Sequence, residues 1–420
     1  MPAIELKYGR GLITVDDPRC RFELLGAGAQ PPGLSDSEIG ERLDQPIDSP
    51  PLDEIVRPGE SVLIVVPDAT RQSAAGQVVN LVVRRLIAAG TMPYDIRIIF
   101  ATGIHRRVTE EERAAILTPF IFQRIKTLDH DVRDLMRIVR MGETSGGIPI
   151  ELDRSLIEHD HVILVGGVSF HYFAGFTGGR KLICPGLASS RTVSETHKLA
   201  FDPLTLDRKN GVGTGRLEGN PVHEAFIEAA SKIKPPFAIS TIVNDDGAAI
   251  DLYCGHWITS HSAACDAYAR SNTVRISGRR DLVIVSCGGY PHDINMVQAH
   301  KGLDAAAAAC TEGGTIVLLA ECSDGMGRKD MLDWFDSRNS AELAEKLATK
   351  YQVNGQTAWS LLRKSERFNI KIVTELDETT TKKMRLEKID IAKLNKIVSS
   401  GEDPGYILPH GARIAVALEG

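Results

Sequence analysis

The feature that most constrains this chain is a repeated alternation of short, uninterrupted apolar runs with stretches that are apolar only at helical spacing. Residues 61–68 (SVLIVVPD) form such a run. A strand apolar on both faces belongs in a parallel sheet covered by helices on each side. Residues 74–90 follow with helical spacing and a closing glycine. Residues 95–103 (DIRIIFATG) read as the next strand, and Thr109-Glu110-Glu111-Glu112 as a capping box that opens a helix. Strands at 161–167 and 237–243 and a helix around 262–270 complete the first series. A second series runs through a strand at 281–288, a helix at 297–310, a strand at 313–322, a serine-capped helix at 340–351, and strands at 368–376 and 413–419. The alternation predicts an α/β protein of two domains, each with a mostly parallel sheet flanked by helices. A chain of 420 residues is too long for one ordinary core. The polar stretch 273–280 marks the expected boundary, giving domains 1–272 and 273–420. The strand near 413–420 is free to return to the first domain.

Composition removes several classes of function. The formal net charge is −6 and the basic residues are dispersed, so no concentrated face exists for nucleic acid. A small anion, needing only two or three local cations, is compatible. No apolar run approaches the ~20 residues that span a bilayer, so no membrane association is expected. The start, Met1-Pro2-Ala3-Ile4-Glu5, lacks a basic segment followed by an apolar one, so no signal peptide is expected and the cytoplasm is the expected location. The seven cysteines are scattered with no C-x-x-C pair, which reads as reduced core thiols and not as a disulfide frame or zinc site.

In parallel sheets ligands sit beyond the carboxyl ends of strands, so the residues following each strand carry the search for a site. They are Asp68-Ala69-Thr70-Arg71, Gly103-Ile104-His105, Gly167-Val168-Ser169-Phe170-His171 and Gly288-Gly289-Tyr290-Pro291. The richest segment is 171–197, HYFAGFTGGRKLICPGLASSRTVSETH. There Gly175, Gly178 and Gly179 allow close approach of backbone to a ligand, and Arg180-Lys181 follow directly. Neither a P-loop nor a dinucleotide G-x-G-x-x-G is present. The glycines of 211–215 follow no strand and read as a flexible loop.

Each residue also has a bland reading. His105 suits a surface position, His171 a satisfied core histidine and His197 a helix end. Asp68 and Arg71 suit a simple pair or cap. Gln298 and Lys301, three apart, share a helix face that is usually solvated. Tyr290 and Trp359 are half-buried aromatics by default.

Taken together, D-A-T-R at 68–71, T-G-I-H at 102–105, H-Y-F-A-G at 171–175, G-G-R-K at 178–181, Pro185-Gly186, His197, and G-G-Y-P at 288–291 with Gln298 and Lys301 resemble the nickel-dependent lactate racemase family, in order and spacing. The H-Y-F-A-G…G-G-R-K…P-G segment is the specific part. The resemblance implies a cofactor-binding and catalytic first domain, with the second closing over the site. It implies a nickel-pincer nucleotide tethered through Lys181, with nickel bound by His197, near Asp68 and the Gly178-Gly179 turn. His105 and His171 match the acid/base groups. Arg71, Gln298 and Lys301 match the substrate-holding residues, with Tyr290 and Trp359 as looser matches for pocket walls. Cofactor maturation proteins are implied partners and a 2-hydroxy acid the implied substrate.

The chemistry accounts for these residue types. The Cα–H of a 2-hydroxy acid is far too weakly acidic for a histidine of pKa about 6.5, so hydride transfer is the expected route to a planar 2-keto acid. The hydroxyl then lies on opposite sides before and after inversion, which asks for two histidines. An arginine fork matches a carboxylate. The competing readings are epimerisation of another 2-hydroxy acid (a sugar acid, or an aryl or branched lactate), a nicotinamide dehydrogenase, a Schiff-base lysine enzyme, and a non-catalytic cofactor-binding protein of the same fold. The missing dinucleotide motif speaks against the dehydrogenase, and the paired histidines against the carrier.

Overall fold

The computed structural model describes residues 3–26, 28 and 30–419. The chain divides into two compact units: a larger one made of residues 30–200 and 210–270, and a smaller one made of 1–29, 201–209 and 271–420.

The larger unit is built on a six-stranded sheet in the order Ala249–Gly255, Phe237–Val243, His161–Gly167, Val62–Pro67, Ile96–Ala101, Lys126–Asp129. All neighbours are parallel except the first pair. Val62–Pro67 is buried at every position, as its unbroken apolar run requires. Val62, Ile64 and Val66 meet the helix Ala75–Ala88, whose Val78, Val79, Val82, Val83 and Leu86 form a single apolar stripe. Burying each such side chain contributes about 1.5–3 kcal/mol. The helix Glu110–Arg124 opens with the reciprocal Thr109–Glu112 box seen in the sequence. On the other face, the short turn Gly179–Leu182 packs on the sheet, with Leu182 about where a side chain on Gly166 would stand.

The smaller unit holds a second six-stranded sheet, parallel throughout, in the order Glu387–Lys388, Asn369–Val373, Cys310–Leu319, Arg280–Ser286, Gly405–Leu408, Phe22–Leu24. Helices Gly302–Ala309 and Val353–Arg367 cover one face. The hairpin Ala3–Tyr8/Gly11–Asp16 and helix Ile391–Ser400 cover the other through Leu6, Ile13, Val15, Leu394 and Val398.

Several expectations need correcting. A single cut near 273 does not describe the division, because residues up to 29 and 201–209 group with the smaller unit. Phe22–Leu24 extends its sheet by pairing with Gly405–Leu408, and Phe201 packs edge-on against Trp359 at 5.4 Å. The last strand, Ala415–Leu418, pairs with Thr273–Ile276 in the smaller unit instead of returning to the first; residue 420 lies outside the described residues. The expected helix at 297–310 is two helices, Met296–Ala299 and Gly302–Ala309. Asn339, not Ser340, caps the helix Ser340–Thr349, its side chain accepting from Glu342 N at 2.9 Å. Residues 213–214, expected in a flexible loop, form a strand beside Ala174–Phe176. Six cysteines are buried and unpaired, while Cys20 is exposed. No helix among the described residues is long and apolar enough to cross a membrane.

Candidate active site

Register brings the predicted residues of the larger unit to one edge. Val62–Pro67 pairs in step with Ile96–Ala101, and Val62–Val65 with His161–Leu164. The residues just beyond these strands, Asp68, Gly103 and Val168, therefore emerge at the same carboxyl end. Gly103 adopts φ +52, and its amide donates to the Gly186 carbonyl at 2.8 Å. That bond ties the turn bearing His105 to the Pro185-Gly186 segment.

Asp68 is buried, and its Oδ2 lies 2.7 Å from His105 Nδ1. Thr70 donates its amide and hydroxyl to Oδ1 at 3.0 and 2.6 Å. Burial opposes the carboxylate's charge, but His105, Arg71 and the Thr70 hydroxyl together outweigh it and lower the Asp68 pKa to about 2. An ionised carboxylate only accepts hydrogen bonds, so His105 carries its proton on Nδ1 and presents Nε2 as a base. Arg71 lies within one turn, its amide donating to the Asp68 carbonyl at 3.2 Å. Burial depresses the Arg71 pKa, with Asp68 opposing.

His171 stands on the two-residue strand Phe170–His171, which pairs with Ala174–Phe176. The Ala174 amide donates to His171 Nδ1 at 3.3 Å. Phe173 gathers the remaining groups: His171 lies 4.5 Å and His197 5.1 Å from it between ring centroids, and Lys181 Nζ 5.7 Å from its centre. Phe226 approaches from the helix Pro221–Ala230, 5.9 Å from Lys181 Nζ and 5.7 Å from the His197 ring. Asn220, fully buried, caps that helix and donates to the Phe173 and Arg216 carbonyls at 2.9 Å. The Asn220-Pro221 pair is a readable helix start, and Phe226 one turn on was missed.

His197, on the helix Ser190–Lys198, is 7% exposed. Burial first, then the charge of Lys181, lowers its pKa to about 3. It is a neutral imidazole whose buried Nδ1 has no hydrogen-bond partner. The glycines have a different explanation from the expected one. A side chain on Gly178 would meet the Gly167 carbonyl at 2.9 Å, and one on Gly179 the His261 ring at 2.5 Å. The close approach they permit is to the chain itself. Arg180, buried beneath them, donates to the Ala174 carbonyl at 2.8 Å and lies 3.2 Å from His261 Nε2. It joins the Lys181 turn to the His171 hairpin.

In the smaller unit, Gln298 is buried and its Oε1 accepts from Lys301 Nζ. Tyr290 takes Arg10 over its ring at 3.9 Å. Trp359 is 4% exposed, packed by Phe201 and by Arg363 at 4.9 Å, so its ring belongs to the core of this unit.

Among the described residues no group of three or more His, Cys, Asp or Glu is placed to hold a metal. A metal brought by an organic ligand needs only one protein donor, and the neutral, unpartnered His197 fits that demand. Lys181, beside it over the same two phenyl rings, fits a covalent tether.

Comparison with known proteins follows the same lines. Residues 8–205 match the lactate racemase N-terminal domain family and residues 277–403 the lactate racemase C-terminal domain family. A lactate racemase from Thermoanaerobacterium thermosaccharolyticum is 30% identical over 355 residues, spanning 83% of this chain and 82% of that one. A lactate racemase from Lactiplantibacillus plantarum is 33% identical over 331 residues, spanning 78% and 76%. The solved lactate racemase apoprotein from T. thermosaccharolyticum has a TM-score of 0.86 at 26% identity, covering 99% of this chain and 100% of that one. A Thermotoga maritima protein has a TM-score of 0.72 at 20% identity over 93% and 100%, a likeness of fold alone.

Proposed function

The chain belongs to the lactate racemase family, and on that premise we propose that it inverts the C2 centre of a lactate-like 2-hydroxy acid. It does so with His105 and His171 as the two acid/base groups and a nickel-pincer nucleotide held by Lys181 and His197. The observation that carries this reading is the Asp68–His105 contact in the unit that also gathers His171, His197 and Lys181 around Phe173: ionised Asp68 backs His105 Nδ1 at 2.7 Å and leaves Nε2 to accept a proton.

The bound nucleotide supplies a reversible hydride acceptor. The rest falls to the chain. Arg71 holds the substrate carboxylate with its fork, and Gln298 and Lys301 are the further substrate-holding residues. His105 Nε2 takes the hydroxyl proton, and Asp68 stabilises the imidazolium that forms. His171, in its protonated form, gives its Nε2 proton to the oxygen on the other side and is left as the neutral imidazole. In the reverse direction the roles exchange. Phe173 and Phe226 exclude water and keep Lys181 and His197 apart from bulk solvent.

Intact-protein mass spectrometry with nickel analysis tests this, on protein co-expressed with cofactor maturation proteins. The expected result is an adduct of several hundred daltons, lost in Lys181→Ala, with about one nickel per chain, and racemisation of lactate or a close relative by chiral chromatography. Absence of adduct and nickel, with maturation working on a control protein, overturns it. An adduct with inversion only at a sugar acid or an aryl or branched lactate moves the reading to an epimerase.

A further inference from the structure

The smaller unit contains a cavity of about 410 Å³ that the proposed reaction does not use. That volume lies within the ~300–1,000 Å³ typical of small-molecule sites. Its walls come from the 201–209 segment, Arg279, the helix Gly302–Ala309 and the helix Val353–Arg367. Ala307 and Ala308 line it at the carboxyl end of a helix whose N-cap is Lys301. A helix rises about 1.5 Å per residue, so this wall stands roughly 10 Å from the Lys301 position.

The cavity is rich in cations, and their pairing is uneven. Arg363 pairs with Asp207, Lys364 with Asp304 at 2.8 Å, and Arg367 with Glu312 at 2.8 Å. Arg208 and Arg279 also line it and have no carboxylate partner among the described residues. Arg279 spends only its Nε, on the Ala308 carbonyl at 3.2 Å. The wall is also not a merely solvated charged face. Lys364 is 7% exposed, and Asp304 Oδ2 is buried without a hydrogen-bond partner. The cavity therefore offers two guanidinium forks in a partly buried wall.

We propose that this cavity binds a small phosphate-bearing anion. Phosphate oxygens match the forks of Arg208 and Arg279. The proposal uses none of the proton-transferring or cofactor-holding residues, so it stands whether or not the racemase reading does.

Isothermal titration of the full chain with inorganic pyrophosphate tests the proposal. The expected result is one site with Kd below about 1 mM, weakening as salt is added. Arg208→Ala and Arg279→Ala each weaken it tenfold or more with an unchanged circular dichroism spectrum, and Arg71→Ala leaves it intact. Arg279→Lys, which keeps the charge and removes the fork, gives an intermediate affinity and covers the case in which alanine disturbs folding. No binding by the unaltered chain overturns the site. So does binding that survives both Arg208→Ala and Arg279→Ala, or that is lost only in Arg71→Ala.

Discussion

In the larger unit, hydrogen bonds and burial set the protonation of groups at the candidate site: His105, Arg71 and Thr70 keep Asp68 charged, and burial with the charge of Lys181 keeps His197 neutral. In the smaller unit the corresponding groups meet as charge against amide or ring: Lys301 against Gln298, Arg10 over Tyr290, and the Arg363 guanidinium over Trp359. Both units use a parallel six-stranded frame with helices alongside. The difference lies in the turns. Turns in the larger unit end in histidines that accept or donate to fixed partners, whereas those of the smaller unit place amides and cations. On the proposed reading, one frame serves proton transfer and the other holds an anion.

The sharpest break of that contrast is acidification of cofactor-free protein. His197, His223 and His261, all in the larger unit, have pKa values lowered to about 3, by burial first and then by the nearby positive charges of Lys181 or Arg180. Between pH 6.5 and 3 the unfolded chain binds protons that the folded one refuses, so stability falls as pH falls through that window. Each histidine contributes about 1.4 kcal/mol per pH unit, and three act together. In the smaller unit His300 is shifted to about 3, again by burial first. Hydrogen exchange from pH 7 to 4 should therefore lose protection in the larger unit first. Equal loss in both units breaks the comparison.

Next come the two histidines. His105→Ala and His171→Ala are each expected to lower kcat by about 10²–10⁴-fold while retaining the tether at Lys181. Enantiomers have equal free energy, so kcat/KM must fall by the same factor in both directions. The smallest effect belongs to the smaller unit. Lys301→Ala should raise KM about 10- to 100-fold with little change in kcat, since it removes binding and no proton transfer. A kcat loss as large as that of His105→Ala would place chemistry in both units.

The sequence made the frame legible where a strand is apolar throughout. Residues 61–68 and 161–167 are continuous runs because helices or turns cover both faces. Phe22–Leu24 was not legible, because three residues become a strand only by pairing with a segment that follows Asp403. Helix Val353–Arg367 was missed for a different reason. It buries Asn354, Gln356, Thr357, Ser360 and Lys364 beside its apolar residues, so no amphipathic stripe marks it. At the site, Asp68, His105, His171, Lys181 and His197 stood out by following strands or by lying in one dense motif. Phe226 and His261 did not, because they reach the others from separate helices. The two glycines were singled out for a ligand's approach; their small size also accommodates the Gly167 carbonyl and the His261 ring, which pattern alone does not show.

The pairing of Glu23 with Tyr406 also bears on how the protein is made. Synthesis at about 5–20 residues per second separates those partners by roughly 20–80 s. Throughout that interval the hairpin Ala3–Tyr8/Gly11–Asp16 has been released without the sheet that covers Leu6, Ile13 and Val15. All of the segments forming the larger unit have by then left the ribosome. These early residues are thus among the last to find their place, and a nascent chain stalled before Gly405 leaves the apolar side of that hairpin uncovered.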